Sequence, residues 1–324
     1  MSATPNRPRI LVTRKLPEAV ERRAARDYDA RLSPDDQALD PAAMGDAAEG
    51  CDGVLVCAAD KVGADAIDGM PDSVRIIATF SVGTDHIDLG AAKRRGIVVT
   101  NTPDVLTDAT ADVALLLMLA AARRAGEGER MVRARAWGGW APTQLLGTHM
   151  SGKTVGIVGM GRIGQALARR ARGFDMTVRY YNRNRLPADQ EQGAVFHGTV
   201  EDLLPHAQFL SLHCPLTPQT RHLLDARRIA MLPRGAILVN TARGPVVDDR
   251  AVVAALKSGQ LSAAGLDVYD GEPHVHEGYL DLENVVLLPH LGSATTETRE
   301  AMGFRALDNL DAWFATGRPA DRVV

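Results

Sequence analysis

Cysteine, lysine and long apolar runs are what this sequence has least of. The 3 cysteines among 324 residues, Cys51, Cys57 and Cys214, have neither an even disulfide count nor the paired spacing of a zinc site. They fit a reducing, cytoplasmic setting. The longest apolar run, Val113–Ala122, falls well short of the roughly 20 residues that span a bilayer. Nor does the N-terminal Met1-Ser-Ala-Thr-Pro-Asn-Arg-Pro carry an apolar stretch behind a basic start, so no secretory leader is expected. Basic charge is nearly all arginine and forms no tail. With a formal net charge of −3, general binding to nucleic acid or to a membrane surface is not expected. No internal repeat or low-complexity segment occurs. What is there is an ordinary globular composition, 45% hydrophobic and 24% charged, at a length that suggests two domains.

Residues 9–100 alternate apolar and polar segments. Strands are expected at 9–13, 53–57, 74–78 and 97–100, with Ala-rich helices around 18–26, 41–49, 64–69 and 89–95. That alternation implies a parallel sheet covered on both faces. Thr107-Asp-Ala-Thr110 then opens a long Ala/Leu helix through about Arg124, and residues 126–150 read as an irregular connector. A second run follows, with strands near 154–158, 177–181, 195–196, 208–212, 236–239, 263–266 and 285–288. Helices are expected between them around 163–172, 200–204, 226–231 and 249–257. A last helix is expected over Ser293–Thr316, ending at Gly317.

Within the second run, the β-branched stretch Thr154–Val158 leads directly into Gly159-Met160-Gly161-Arg162-Ile163-Gly164 and an Ala/Leu/Arg-rich helix. The three glycines serve different ends, namely a tight turn, close approach of backbone to a pyrophosphate, and close packing of helix on strand. The helix N-terminus then offers N–H groups and positive dipole to the phosphates. A bare glycine pattern is weak evidence, but here it lies between a strand and a helix, as a dinucleotide site requires. This fingerprint normally follows the first strand of its domain, yet here it comes halfway along the chain. Insertion accounts for that. The expected fold class is α/β, with two doubly wound parallel-sheet domains: a Rossmann cofactor domain (104–291) inserted in a discontinuous flavodoxin-like substrate domain (1–103 and 292–324). Crossings near Pro103 and His290–Ser293 are expected to form the hinge of an interdomain cleft.

Several linked motifs now bear on function. They are Ser81-Val-Gly83-Thr-Asp-His-Ile-Asp88, Asn101–Thr110, the glycine fingerprint, His213-Cys-Pro-Leu-Thr-Pro-Gln-Thr220, Asn240-Thr-Ala-Arg243-Gly-Pro-Val-Val-Asp248, Gly265-Leu-Asp267-Val-Tyr-Asp-Gly-Glu272 and Leu288-Pro-His290-Leu-Gly292. Through them the chain resembles the D-isomer-specific 2-hydroxyacid dehydrogenases, and within that family the glyoxylate/hydroxypyruvate reductases. The resemblance implies reduction of a small 2-oxo acid, with glyoxylate and hydroxypyruvate as substrates; 2-ketogluconate or another 2-oxo acid is the alternative. It also implies a homodimer.

Such a reaction needs a cation for the carboxylate, a proton donor for the ketone oxygen, and a hydride. Arg243 is the candidate clamp, because a guanidinium matches a carboxylate with two parallel hydrogen bonds and stays charged. His290 is the candidate acid–base group. Glu272 is its candidate partner, since a carboxylate fixes an imidazole's orientation and favours its proton-donating form. The resemblance gives Val82 and Gly83 as backbone donors to the second carboxylate oxygen. It gives Thr110, Ala242 and Asp267 to the nicotinamide side, His213, Cys214 and Pro215 to the adenosine side, and Thr241 and Gly292 to the cofactor site as a whole. Trp137 and Trp140 either cap a pocket across a dimer interface or pack the Gly-rich connector. The remaining histidines, including His86 and His213, read as structural or exposed. His274-Val-His276 lacks a third ligand, so no metal is expected.

Cofactor choice rests on Asn182-Arg183-Asn-Arg185. An NAD site usually carries an acidic residue about 20 positions past the fingerprint to hold the ribose 2′-OH. Asn182 stands there instead, with Arg183 and Arg185 able to pair with a 2′-phosphate. NADPH/NADP+ is the expected cofactor, with NADH possible. Three rival readings are weaker. A formate-dehydrogenase-like enzyme pairs its histidine with Gln rather than Glu272. Phosphoglycerate dehydrogenases often carry a further regulatory domain. A cofactor-gated interaction protein has no need of Arg243, Glu272 and His290 together.

Overall fold

Two parallel sheets carry the fold in the computed structural model, which describes residues 7–324. The chain divides into one unit of Met1–Leu106 with Thr295–Val324 and a second of Thr107–Ala294. Both divisions fall three residues beyond the expected 103/104 and 291/292.

The first unit has β1 (Arg9–Val12), β2 (Asp29–Arg31), β3 (Gly53–Cys57), β4 (Ile76–Phe80) and β5 (Val98–Thr100) in the order β2-β1-β3-β4-β5. All neighbours pair in parallel, giving the flavodoxin-like arrangement. The interior strand β4 is buried along its length, as a sheet covered on both faces requires. The short polar edge strand β2 departs from expectation, because Asp29-Ala-Arg31 lacks the apolar, β-branched signature of a strand. Its register comes from pairing with β1.

The C-terminal helix completes this unit. It spans Thr296–Thr316 and is capped by the Thr295 side chain, which accepts from the Thr298 N–H. Ser293 is therefore not its start. Against the helix Glu18–Asp27, Arg23 reaches Asp308 and Asp311 at 2.7 and 2.6 Å, and Tyr28 bonds Asp311. The chain end then pairs with β5, through Val323 N–H to the Val99 carbonyl at 2.7 Å, and so covers a sheet edge.

The second unit has β6 (Thr154–Val158), β7 (Thr177–Tyr181), β8 (Val195–His197), β9 (Phe209–Leu212), β10 (Ala236–Asn240), β11 (Leu261–Leu266) and β12 (Val285–Leu287). Their order is β12-β11-β10-β9-β6-β7-β8, the doubly wound dinucleotide-binding order with one more strand. The switch point lies between β6 and β9. Separate apolar cores form, one built with the helices Thr107–Ala122 and Arg162–Arg172 and the other with the helix Asp249–Ser258. Thr107–Ala122 crosses β11 closely, since a Cβ at Gly265 would come 2.7 Å from Leu117 Cβ.

The irregular connector expected over 126–150 begins instead as a helix, Ala125–Arg133. Gly126 and Gly128 are poor helix formers and hide it in the sequence. It buries no residue and carries side-chain pairs Arg124–Glu127 and Arg133–Glu129. Among the described residues, no helix is long and apolar enough to cross a membrane.

Gly303 gives a direct test of how the last helix closes the first unit. A Cβ there would overlap the Val20 side chain. Gly303→Ala should destabilise by about 1–3 kcal/mol through overpacking. Thermal unfolding should show the midpoint several degrees lower, whereas an unchanged midpoint would mean that these helices are not held this close.

Candidate active site

Every strand of the second unit that bears a predicted site residue presents it at its carboxyl end, the edge where doubly wound sheets bind ligands. The glycine loop leaves β6 there. Gly159 has φ +99°, and a Cβ on it would come 2.6 Å from Cys214 N, so the loop can pass β9 only with glycine at this position. A Cβ at Gly164 would overlap the Gly159 carbonyl, which lets the helix Arg162–Arg172 start directly beneath the loop. At Gly161 an added Cβ would meet no atom of the chain within 4 Å. Gly161 is the N-cap of that helix and supplies no side-chain cap, which leaves first-turn N–H groups for an anion. Met160 is buried, while Gly161 and Arg162 are exposed. This cradle fits a dinucleotide pyrophosphate.

The loop is tied to the end of β7. Gly159 N–H donates to the Tyr181 carbonyl at 3.0 Å, and Met160 N–H to Asn182 Oδ1 at 2.6 Å. Asn182, expected from the sequence to stand where a ribose acid would be, thus turns its carbonyl oxygen to the glycine loop. Arg183 is exposed. Arg185 is engaged elsewhere, paired with Glu191 at 2.8 Å.

His213 follows directly after β9. Its Nε2 meets Ser211 Oγ at 2.8 Å and its Nδ1 lies 3.5 Å from Thr241 Oγ1. Although the residue is only part-buried, desolvation by the surrounding chain pushes it down to about 4. Burial also pushes the Cys214 thiol up to about 11, so that sulfur is not a nucleophile.

β10 ends in Asn240, fully buried, whose side chain accepts from Ala242 N–H at 3.0 Å and donates to the Arg243 carbonyl at 2.9 Å. These two bonds fix the turn that presents Arg243. Gly244 is required next, because a Cβ there would overlap the Tyr269 backbone.

β11 and β12 bring together Asp267, Glu272 and His290. Glu272 Oε2 lies 2.8 Å from His290 Nδ1, and Oε1 accepts from Tyr269 N–H at 2.9 Å. Burial alone would push the Glu272 carboxyl up. The bond and charge of His290, the Tyr269 N–H and the charge of Arg243 outweigh it and hold the carboxyl below its usual range. An ionised carboxylate accepts only, so Nδ1 carries the hydrogen and Nε2 is the ring atom that can exchange a proton. The pair remains reachable, with the His290 side chain 42% exposed and that of Glu272 33%.

His290 itself has φ +55°, an uncommon conformation for a non-glycine residue. Asp267, 1% exposed, holds it there. Its backbone carbonyl accepts from His290 N–H at 2.9 Å, and its carboxylate accepts from Leu291 and Gly292 N–H at 2.6 and 2.8 Å. Burial raises the Asp267 carboxyl despite those bonds. Thr110 adjoins Gly292: a Cβ on that glycine would lie 3.4 Å from Thr110 Cγ2. Sequence reasoning does not single out Asn240, Tyr269 or the backbone-holding part of Asp267 as positioning groups, although all three lie inside the quoted motifs.

In the first unit, the Ser81–Thr84 loop follows β4. Ser81 Oγ donates to the Gly83 carbonyl at 2.6 Å and Asn101 Nδ2 to the Val82 carbonyl at 2.9 Å. In a planar trans peptide the N–H points opposite its carbonyl, so the Gly83 N–H faces away from Asn101. His86, which sequence reasoning sets among the structural or exposed histidines, braces this loop. Its Nε2 meets Thr79 Oγ1 at 3.0 Å, which meets Ser81 Oγ at 2.9 Å. His276 caps a short helix, accepting from Gly278 N–H at 3.1 Å. Among the described residues no group of three or more His, Cys, Asp or Glu could hold a metal ion. Trp137 and Trp140 are 55% and 83% exposed, so neither packs the connector from within.

Residues 115–292 match the model of the D-isomer specific 2-hydroxyacid dehydrogenase NAD-binding domain. A glycerate dehydrogenase from Hyphomicrobium methylovorum is 48% identical, covering 94% of this chain and 96% of that one. The chain belongs to the D-isomer-specific 2-hydroxyacid dehydrogenase family. A glyoxylate reductase from Thermococcus litoralis is 44% identical over 98% of this chain and 97% of that one. Among solved structures, an NADPH-dependent glyoxylate/hydroxypyruvate reductase from Sinorhizobium meliloti, in complex with NADP and malonate, is 36% identical with a TM-score of 0.89. It covers 98% of this chain and 97% of that one. This family member is an oxidoreductase with a nicotinamide-dinucleotide fold.

His213 makes stability depend on pH with a defined sign. Its folded value of about 4 lies below the unfolded 6.5, so the unfolded chain binds the extra proton between those values. Stability is therefore full above about pH 6.5 and is lost as pH falls towards 4. Melting curves across that window should be flatter for His213→Gln than for the wild type; parallel curves would contradict this.

Proposed function

We propose that this chain reduces small 2-oxo acids, glyoxylate and hydroxypyruvate, to D-2-hydroxy acids with NADPH. The observation that carries the reading is the Glu272–His290 pair at 2.8 Å, with Arg243 near enough for its charge to act on Glu272. A 2-oxo acid presents one carboxylate and one ketone, and this set meets both. Arg243 grips the carboxylate in two parallel hydrogen bonds. On the same reading, the Val82 and Gly83 N–H groups would serve the second carboxylate oxygen. His290 Nε2 gives its proton to the ketone oxygen, and Glu272 steadies the imidazolium before transfer and its orientation after it. In the oxidation direction Nε2 takes the proton back.

The dinucleotide would be held by the Gly159–Gly164 loop at its pyrophosphate. Asn182 and Arg183 would hold its adenosine ribose, His213, Cys214 and Pro215 would line the adenosine side, and Thr110, Thr241, Ala242, Asp267 and Gly292 would surround the nicotinamide. When bound, the nicotinamide supplies the hydride to the carbonyl carbon. NADPH is favoured because Asn182 replaces the acid that would repel a 2′-phosphate. The S. meliloti relative bound to NADP supports the same reading. We assign the exposed apolar residues Leu116, Val132, Trp137, Trp140 and Leu146 to a homodimer surface.

Rates with glyoxylate, hydroxypyruvate and other 2-oxo acids, each with NADPH and NADH, test this reading. A kcat/KM at least about tenfold higher with NADPH is expected. A clear preference for NADH overturns the cofactor assignment, and no turnover of any 2-oxo acid overturns the activity. Arg243→Lys loses the bidentate fork. It should lower kcat/KM by about 100-fold or more while NADPH affinity changes less than about twofold. An equal loss of cofactor affinity would place Arg243 in the wrong role.

A further inference from the structure

The loop after β7 carries two arginines in sequence, but the structure treats them differently. Arg185 forms a fork on Glu191, Nε to Oε1 at 2.8 Å and Nη2 to Oε2 at 2.9 Å. Glu191 is only 7% exposed and takes a third bond from Tyr180 OH at 2.6 Å. That phenol, fully buried, accepts from Leu186 N–H at 3.1 Å, so the knot is closed through the loop's own backbone. The Arg185 guanidinium also lies over the Phe196 ring, 5.8 Å from its centre. Both partners hold Glu191 well down, to about 2, so it is ionised at every working pH. Arg183, two residues earlier, is exposed and makes no side-chain hydrogen bond or ion pair among the described residues.

A bidentate pair uses the face with which an arginine would grip a phosphate, and it cancels the charge that would attract one. We propose that Glu191 sets this chain's cofactor discrimination by withholding Arg185, which leaves recognition of an adenosine 2′-phosphate to Arg183 alone. Glu191 is then a positioning residue for specificity, and the cofactor preference is weaker than two adjacent arginines would give. The proposal rests on the reading of the Asn182–Arg185 loop as the ribose site.

Calorimetric binding of adenosine 2′,5′-bisphosphate and of 5′-AMP to the full chain tests it without turnover. Arg183→Gln should weaken the bisphosphate at least about tenfold and 5′-AMP less than about twofold. Glu191→Gln keeps the shape and a bond to Tyr180 but frees Arg185. It should strengthen the bisphosphate about three- to tenfold, again with 5′-AMP unchanged. The double variant Arg185→Gln/Glu191→Gln, which removes both charges, should bind the bisphosphate within about twofold of wild type. If Arg183→Gln has no effect, the ribose-site reading fails and the proposal with it. If Arg183→Gln weakens binding but Glu191→Gln does not strengthen it, withholding is overturned while that reading stands. A double variant that loses as much as Arg183→Gln makes Arg185 a direct ligand and overturns the proposal by itself.

Discussion

A buried carboxylate, that of Asp267, fixes the strand end on which the candidate site depends. An unpaired charge at 1% exposure would be strongly unfavourable, and here its oxygens meet the N–H groups of Leu291 and Gly292. Those bonds, with the Asp267 carbonyl, hold His290 at φ +55°. Left-handed backbone at a non-glycine residue persists only where its surroundings over-determine it. The consequence is a ring whose Nδ1 faces Glu272, and on the proposed mechanism this leaves Nε2 for the ketone.

The other strand ends follow the same pattern, in which a polar side chain directs its hydrogen bonds to the turn that presents the chemistry. Asn240 holds the turn at Arg243, and Asn182 holds the glycine loop through Met160. On the first unit, Thr79 and Ser81 link His86 to the Gly83 carbonyl. Glycines appear where these turns pass other backbone closely, as at Gly159 and Gly244. A parallel sheet buried on both faces suits this, because its strands end rigidly and at one edge.

Much of this is legible in the sequence. The β-branched runs at β3, β6 and β7 match the structure to the residue, since buried parallel strands bear a strong apolar signature. Four short or polar elements without an apolar repeat are not legible: β2, Ala125–Arg133 and the short helices Ala188–Glu191 and Glu277–Leu280. Their conformation comes from pairing and packing rather than local preference. At the site, the motifs name Arg243, Glu272 and His290, and the fold brings Glu272 to His290. What no motif can show is which polar side chains are already occupied. Arg183 and Arg185 read alike along the chain, and only the 2.8 Å contact to Glu191 separates them.

The proposed mechanism requires Glu272 and His290 to act as one acid–base unit. A double-mutant cycle on kcat/KM for glyoxylate reduction, with Glu272→Gln, His290→Asn and the pair together, tests that most directly. Each single change should cost about 100- to 10,000-fold, and the double variant should be no worse than the poorer single one. Losses that multiply would show two independent residues and contradict the account.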